Sequence, residues 1–467
     1  MISASEIAFA TALDLVELYR SKALSPVEAT RAMFARLDVL QPTLNAFCLI
    51  DRDGALDAAR ASEQRWLAGE PLSPLDGVPA TIKDLVLMRG FPTLRGSRLV
   101  DPDQDVSEDG PAVARLREAG AVILGKTTTP EFGWKAIGDS PLTGITRNPW
   151  NRERTTGGSS AGAAAACAAG IAPLHVGSDG AGSIRIPSAF TGIFGLKASF
   201  GRVPAYPPSP MGLLSNVGPM TRSVRDAAAM LNVLARPDRR DPYALPPEDR
   251  DYLAGIDDGV QGWRIGYSHD LGYAKVDPEI AVACATAALH FADLGATVEG
   301  VGAIFPSPRD ALLTLWAAGA ALLLSVYPKQ RRSLCDPGLL DVAAEGEYIR
   351  AVDYVAADMV RTELGKRMAA FHQRYDLLVT PMMPVPALPV GQDLNDPAIE
   401  RSWIDWSPFS YPFNMTRQPA ATVPCGLTRD GLPIGLQIVG PLYAEDRVLR
   451  AARAFEQTQP ERRPTLG

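Results

Sequence analysis

The chain reads as an α/β layered protein, on three observations. From about residue 80 onward, short apolar strand-like runs alternate with helical segments. Near the end, ATVPCGL and PIGLQIVG flank Asp430-Gly431, a strong hairpin signal. Over 467 residues, 46% hydrophobic and 21% charged is the balance of a globular chain able to bury a large core. Length alone would allow about three domains. No internal repeat or long linker divides the sequence, so one large α/β unit is the expectation.

Taken in order, Ser25-Pro26-Val27-Glu28 opens a helix, with Ser as cap, Pro at the first helical position and Glu three residues on. Val27, Phe34, Leu37 and Leu40 follow at helical spacing, and Pro42 is expected to end the run. Segment 44–50 reads as a strand and 53–68 as a helix. After a turn-rich loop to Pro79, 80–86 is a short strand carrying Lys83. DGPAVARLREAG (109–120) is a helix and AVILGK (121–126) a strand. Residues 151–158 read as polar loop, 160–170 as a small-residue helix and 173–178 as a buried strand. The proline-rich stretch 203–217 is an extended connection. Helices are expected at 223–235, 277–293, 310–327, 340–374 and 444–457. LLVTPMMPVPALPV begins as a strand and turns into a proline-rich loop.

Composition also excludes. A formal net charge of −7 argues against a general nucleic-acid binder. Five scattered cysteines without a CxxC pair offer neither a zinc site nor a disulfide framework, and fit a reducing compartment. MISASEIAFATALDL lacks a basic segment followed by an apolar core, so no signal peptide is expected. The uncharged stretches 161–178 and 311–327 are too small-residue-rich for a membrane span and read as buried core. A cytoplasmic location is the resulting expectation.

Chemistry concentrates in TGGSSAGAAAACAAGIAPLHVGSDGAGSIRIP (156–187). It contains two glycine- and serine-bearing loops, Gly157-Gly158-Ser159-Ser160 and Gly180-Ala181-Gly182-Ser183, separated by a helix and a strand that can bring both to one end of a sheet. A helix starting near Ser183 would place a nucleophile beside open backbone N–H groups. On glycine content alone, a tight strand-to-helix turn is the favoured reading. GSSAG matches G-x-S-x-G around Ser160, but that elbow needs a buried strand directly before it, and NRERTT is not one. With four histidines in the chain, a histidine base is a poor fit, and His175 reads as a core residue. Lys83, in the apolar run PATIKDLVL, is the alternative base, because burial readily removes a lysine's charge. The bland reading is that Lys83 simply pairs with Asp84 or another carboxylate.

These residues resemble the amidase signature family. The resemblance rests on GGSSAGAAAACAAG followed by GSDGAGSIRIPSAFTGIFGLKAS, and on GVPATIKDLV, LGKTTTPEFGW, TRNPWN, and QPAATVPCG with GLPIGLQIVG. It covers most of the chain and is weakest over about 235–375. It implies a mixed central β-sheet with helices on both faces, a signature core at about 75–235, a variable region at about 236–415 and a C-terminal hairpin and helix at about 416–467. It also implies a Ser–Ser–Lys triad: Ser183 as nucleophile, Ser159 after a cis peptide bond as the bridge, and Lys83 as the base. Gly180, Ala181 and Gly182 match the oxyanion loop, with Ala181 where many relatives have Gly, acceptable at a negative φ. Asp-Leu-Val after Lys83 departs from the Asp-Asn-Ile of many relatives. Ser160, Asp179 and Arg185 are expected in support, the last two as a pair bracing the loop.

Substrate contacts are expected from Phe132, Trp134, Trp316, Trp403 and Trp406, with 381–415 as the substrate-facing loop. The implied activity is hydrolysis of small carboxylic amides through a Ser183 acyl-enzyme, extending to esters or carbamates. No cofactor, metal, nucleic acid or membrane is required, and a homodimer is compatible. The competing readings are the glutaminase subunit of a tRNA-dependent amidotransferase and a non-catalytic binding relative.

Overall fold

A computed structural model describes residues 2–466. Among these, eleven strands form one sheet, in the spatial order Phe47–Ile50, Val122–Thr127, Pro79–Lys83, Leu174–Asp179, Asn216–Thr221, Phe194–Lys197, Ala420–Leu427, Pro433–Val439, Leu377–Pro381, Arg264–Tyr267 and Thr297–Gly300. The sheet is mixed. Pro79–Lys83 runs parallel to both its neighbours, and Arg264–Tyr267 does likewise, whereas the centre is antiparallel.

Residue alternation sorts the core onto two faces. Leu377 and Val379, Ala421 and Val423, and Leu436 and Ile438 join one apolar cluster, which also takes the buried sides of helices Pro26–Leu44, Val224–Leu234, Pro278–Asp293 and Glu445–Glu456. The intervening Leu378, Ala420 and Val439 join a second cluster with helices Arg309–Ser325, Pro337–Gly346 and Ala351–Phe371. Helices therefore cover both faces. Among the described residues no helix is long and apolar enough to cross a membrane.

Several expectations are corrected. The first long helix runs through Pro42 to Leu44. In the last turn a proline sacrifices little more than its own N–H bond, and the helix stops where Asn45 turns left-handed (φ 50°), held by the Gln41 side chain on Ala46 N and Phe47 N. The strand starts only at Phe47. Asn151–Thr155 is not loop but a polar strand paired with Arg147–Asn148, a surface ribbon outside the central sheet. The helix expected at 340–374 is two helices, Pro337–Gly346 and Ala351–Phe371. Phe194–Lys197, Asn216–Thr221, Arg264–Tyr267 and Thr297–Gly300 are strands that the sequence pattern does not announce, being short runs holding glycine, proline or charge.

Candidate active site

The small-residue composition of 156–191 makes the site possible. Helix Ala161–Ala168 is buried on every side, and only Ala and Gly let backbones approach that closely: a Cβ on Gly162 would lie 2.0 Å from Ala46 O. This helix begins immediately after Ser160, strand Leu174–Asp179 follows, and helix Arg185–Thr191 begins just past Ser183. Both serine loops thereby reach the same end of the sheet. Ser160 N donates to Ser183 O at 3.1 Å, which ties one loop to the other.

Lys83 is the last residue of its strand and is fully buried. Its Nζ lies 2.7 Å from Ser159 Oγ, 3.0 Å from Ser160 Oγ and 3.0 Å from Ser178 Oγ. Among the described residues no carboxylate pairs with it: Asp84, its chain neighbour, is bound to Lys126 Nζ at 2.7 Å. Burial pushes the Lys83 ammonium well below its usual range, and the more distant Asp179 only partly opposes this. The peptide bond Gly158–Ser159 is cis. Ser183 is buried to 7% exposure.

The loop 180–183 is braced from beneath by an ion pair. Arg185 Nε and Nη2 each lie 3.0 Å from an oxygen of Asp179, both side chains fully buried. Burial alone would raise the Asp179 carboxyl; the Arg185 guanidinium holds it far below the usual carboxylate range. Arg185 also donates to Ser410 O, Gln437 Oε1 and Asn414 Oδ1, so every arm of the fork has an acceptor. Asp179 Oδ1 accepts from Gly182 N at 2.7 Å, and Ser410 Oγ donates to Ala181 O at 2.6 Å. Gly182 takes the positive φ of this loop, +125°, and Ala181 does not. A Cβ on Gly182 would meet Ser410 Cβ at 2.6 Å.

Ser160 does not sit in a nucleophile elbow. The strand before it is the exposed ribbon Asn151–Thr155, and Ser160 Oγ donates to Ser178 O while accepting from Ser178 N. His175 is buried between Thr81 Oγ1 and Ala172 O, and burial pushes its imidazole down to about 3.

A pocket of about 150 Å³ opens beside Ser178, lined by Phe132, Leu85, Met211, Leu323 and the proline-rich run Pro204–Pro210. Phe132 therefore faces it, whereas Trp134, Trp316, Trp403 and Trp406 do not line it. The four tryptophans are buried in the core. Trp316 packs edge-on against Trp403 and donates to Trp134 O, with its ring 3.4 Å from where a Gly180 Cβ would sit. Trp406 stacks on Phe190. Trp316 thus backs the loop at Gly180, and the other rings pack behind it in the core. The pocket wall comes from 203–217, whose sequence suggests only a connection, rather than from 381–415. A larger cavity of about 400 Å³ lies among Phe9, Arg222, Phe455 and Arg463, and includes none of the residues around Lys83. Sequence reasoning also misses Ser178, Ser410, Asn414 and Gln437, which carry no local signal because each is recruited by the tertiary fold.

Comparison with known proteins identifies the family. The profile of the amidase family matches residues 28–449. The chain is 38% identical to an acylamidase of Rhodococcus erythropolis over 460 residues, covering 96% of this chain and 95% of that protein. It is 36% identical to a glutamyl-tRNA(Gln) amidotransferase subunit of Myxococcus xanthus, covering 96% of each. The crystal structure of a bacterial aryl acylamidase belonging to the amidase signature enzymes superposes with a TM-score of 0.91 at 32% identity, covering 97% of both chains. The chain therefore belongs to the amidase signature family and is an amide-hydrolysing enzyme.

Proposed function

We propose that this enzyme hydrolyses small carboxylic amides through an acyl-enzyme on Ser183. The observation that carries this reading is the fully buried Lys83 hydrogen-bonded to Ser159, with no carboxylate partner among the described residues. Burial favours the neutral amine of a lysine so placed, the form that can act as a base. It takes the Ser183 proton through the Ser159 hydroxyl as Ser183 Oγ attacks the carbonyl carbon. Gly182, expected with Gly180 and Ala181 as an oxyanion donor, has its N–H committed to Asp179 at 2.7 Å, so the donors in this reading are the N–H groups of Gly180, Ala181 and Ser183. The relay then protonates the leaving amine, and water, deprotonated by the same route, releases the acid and frees Ser183.

Esters and carbamates present the same carbonyl and would enter the same path. A cavity of about 150 Å³ is the volume that holds a single benzene-sized group. The substrate arm it receives is thus one ring or a short alkyl chain, in line with the names of the acylamidase and aryl acylamidase relatives. Free cysteines throughout support a reducing, cytoplasmic setting.

The near-equal identity to an amidotransferase component supports one rival, a partner-dependent glutaminase. Labelling with a serine-directed fluorophosphonate and peptide mass spectrometry, alongside turnover of anilides, alkyl amides and glutamine, separates the readings. Adduct on Ser183, with turnover of simple amides lost in Ser183→Ala, supports this proposal. Adduct on Ser160, or glutamine as the sole amide hydrolysed, overturns it.

A further inference from the structure

The pocket beside Ser178 is lined mainly by apolar side chains, with charge at two points. Arg95 lines it, half-buried, and among the described residues its guanidinium has neither a hydrogen bond nor an ion-pair partner. The other charged lining residue, Asp241, is already committed: its two oxygens accept from Ala205 N and Tyr243 N. The pocket therefore carries an unpaired guanidinium on a wall it shares with Ser178, the residue whose hydroxyl meets Lys83.

The backbone holds Arg95 there under constraint. Arg95 has φ +57° and Phe132, its neighbour on the pocket wall, has φ +50°, a left-handed conformation that non-glycine residues adopt at a cost and that recurs at ligand sites. Phe132 N donates to Arg95 O at 2.7 Å, locking the two together. Gly96 follows at φ +64°, where a Cβ would lie 2.5 Å from Thr129 O, so the chain passes too close to its neighbour to shift. A fixed ring and a guanidinium on a fixed backbone in one small pocket select for a group that is apolar along its body and anionic at its end.

We infer that Arg95 is a specificity-determining residue and that the substrates are amides bearing a carboxylate about one ring or one short chain from the scissile bond. The inference rests on the amide-hydrolase reading above and adds the chemical class of substrate.

Two matched pairs test it: the 4-nitroanilides of succinate and butyrate, and the acetamides of 4-aminobenzoate and 4-methylaniline. Wild-type kcat/KM should favour the carboxylate member of at least one pair by about tenfold or more, the scale of a charge-assisted hydrogen bond in a partly dry site. Arg95→Gln should lower kcat/KM on that member by about ten- to a hundredfold and change the neutral member less than about twofold, with Arg95→Lys in between. No preference in either pair, or an equal loss on both members, overturns the inference while leaving amide hydrolysis intact. A structural role for Arg95 would lower both members together. Loss of all turnover in wild type, by contrast, would strike the hydrolase reading. Calorimetric binding of benzoate and succinate to Ser183→Ala then reads the Arg95 contact without turnover. About tenfold weaker binding on adding Arg95→Gln supports it, and unchanged affinity overturns it.

Discussion

Lys83 and Lys126 occupy neighbouring parallel strands, and both are fully buried, yet their surroundings make them different chemical objects. Lys126 Nζ meets Asp84 Oδ1 at 2.7 Å, with Thr93 Oγ1 at 2.6 Å and Pro92 O at 3.1 Å. Among the described residues Lys83 Nζ meets only hydroxyls and a carbonyl. Burial lowers both, but Asp84 opposes the effect at Lys126, whereas Lys83 falls well below the ordinary range. The partner, not the burial, decides which lysine stays a structural cation and which can serve as a base. Register explains how the partner was allotted. Ile82 stands opposite Lys126, so alternation carries Asp84 to the Lys126 side and turns Lys83 the other way. Adjacency in sequence makes Asp84 look like a partner for Lys83, and the pleat gives it to a different strand.

The largest effect that would probe this contrast is at Lys83. Lys83→Met should cut kcat by about 10³- to 10⁴-fold, the upper reach of a lost general base, with the thermal midpoint unchanged or slightly raised. Its three serines can partner one another, so no charge is stranded. Steady-state kinetics beside a melting curve checks both halves, and a kcat within about tenfold of wild type would overturn the assignment.

Lys126→Met should do the reverse. It leaves Asp84 buried and unpaired, costing about 3–5 kcal/mol of stability by denaturant titration, while the folded fraction keeps its kcat. Lys126→Met combined with Asp84→Asn should recover most of that loss. A single variant that is as stable as wild type would show that the pair is not needed.

The smallest effect is a displacement in pH. The base must be neutral, so kcat falls as pH drops through the Lys83 value, and the plateau is reached well below pH 10.5. Ser178→Asp brings a carboxylate to a position whose oxygen lies 3.0 Å from Lys83 Nζ, making it resemble Lys126. The acid limb of the kcat profile should move up by about 1–3 units. A limb that stays in place would assign the titration to another group.

Much of this site was legible in the linear sequence because its parts are local. The two glycine–serine loops, the all-small helix between them and the pairing of Asp179 with Arg185 fall within 156–187, and composition and spacing expose them. Of the pocket beside Ser178, only Phe132 was legible. Trp134, Trp316, Trp403 and Trp406 attract attention as large rings, yet large apolar side chains gain most by full burial, and all four sit in the core, with Trp316 against Gly180. The pocket wall instead comes from Pro204–Pro210, which declares only an extended chain. Helix limits fail in the same way: Pro42 is tolerated because it falls in the last turn.

Local pattern is therefore enough for the layered α/β architecture and for the hairpin around Asp430-Gly431, whereas the grouping of Lys83, Ser159 and Ser183 as one set is what the resemblance to the amidase signature family implies. Periodicity, turn chemistry and close-packed small residues are properties of neighbouring positions, and they can be read along the chain. Folding in three dimensions was needed to leave Lys83 without a carboxylate, to complete the shell of Arg185 with Ser410, Asn414 and Gln437, and to bring Arg95 to the pocket with no partner among the described residues. Those outcomes depend on strand order and register, which join residues up to 252 positions apart, and on which charged groups are already committed elsewhere.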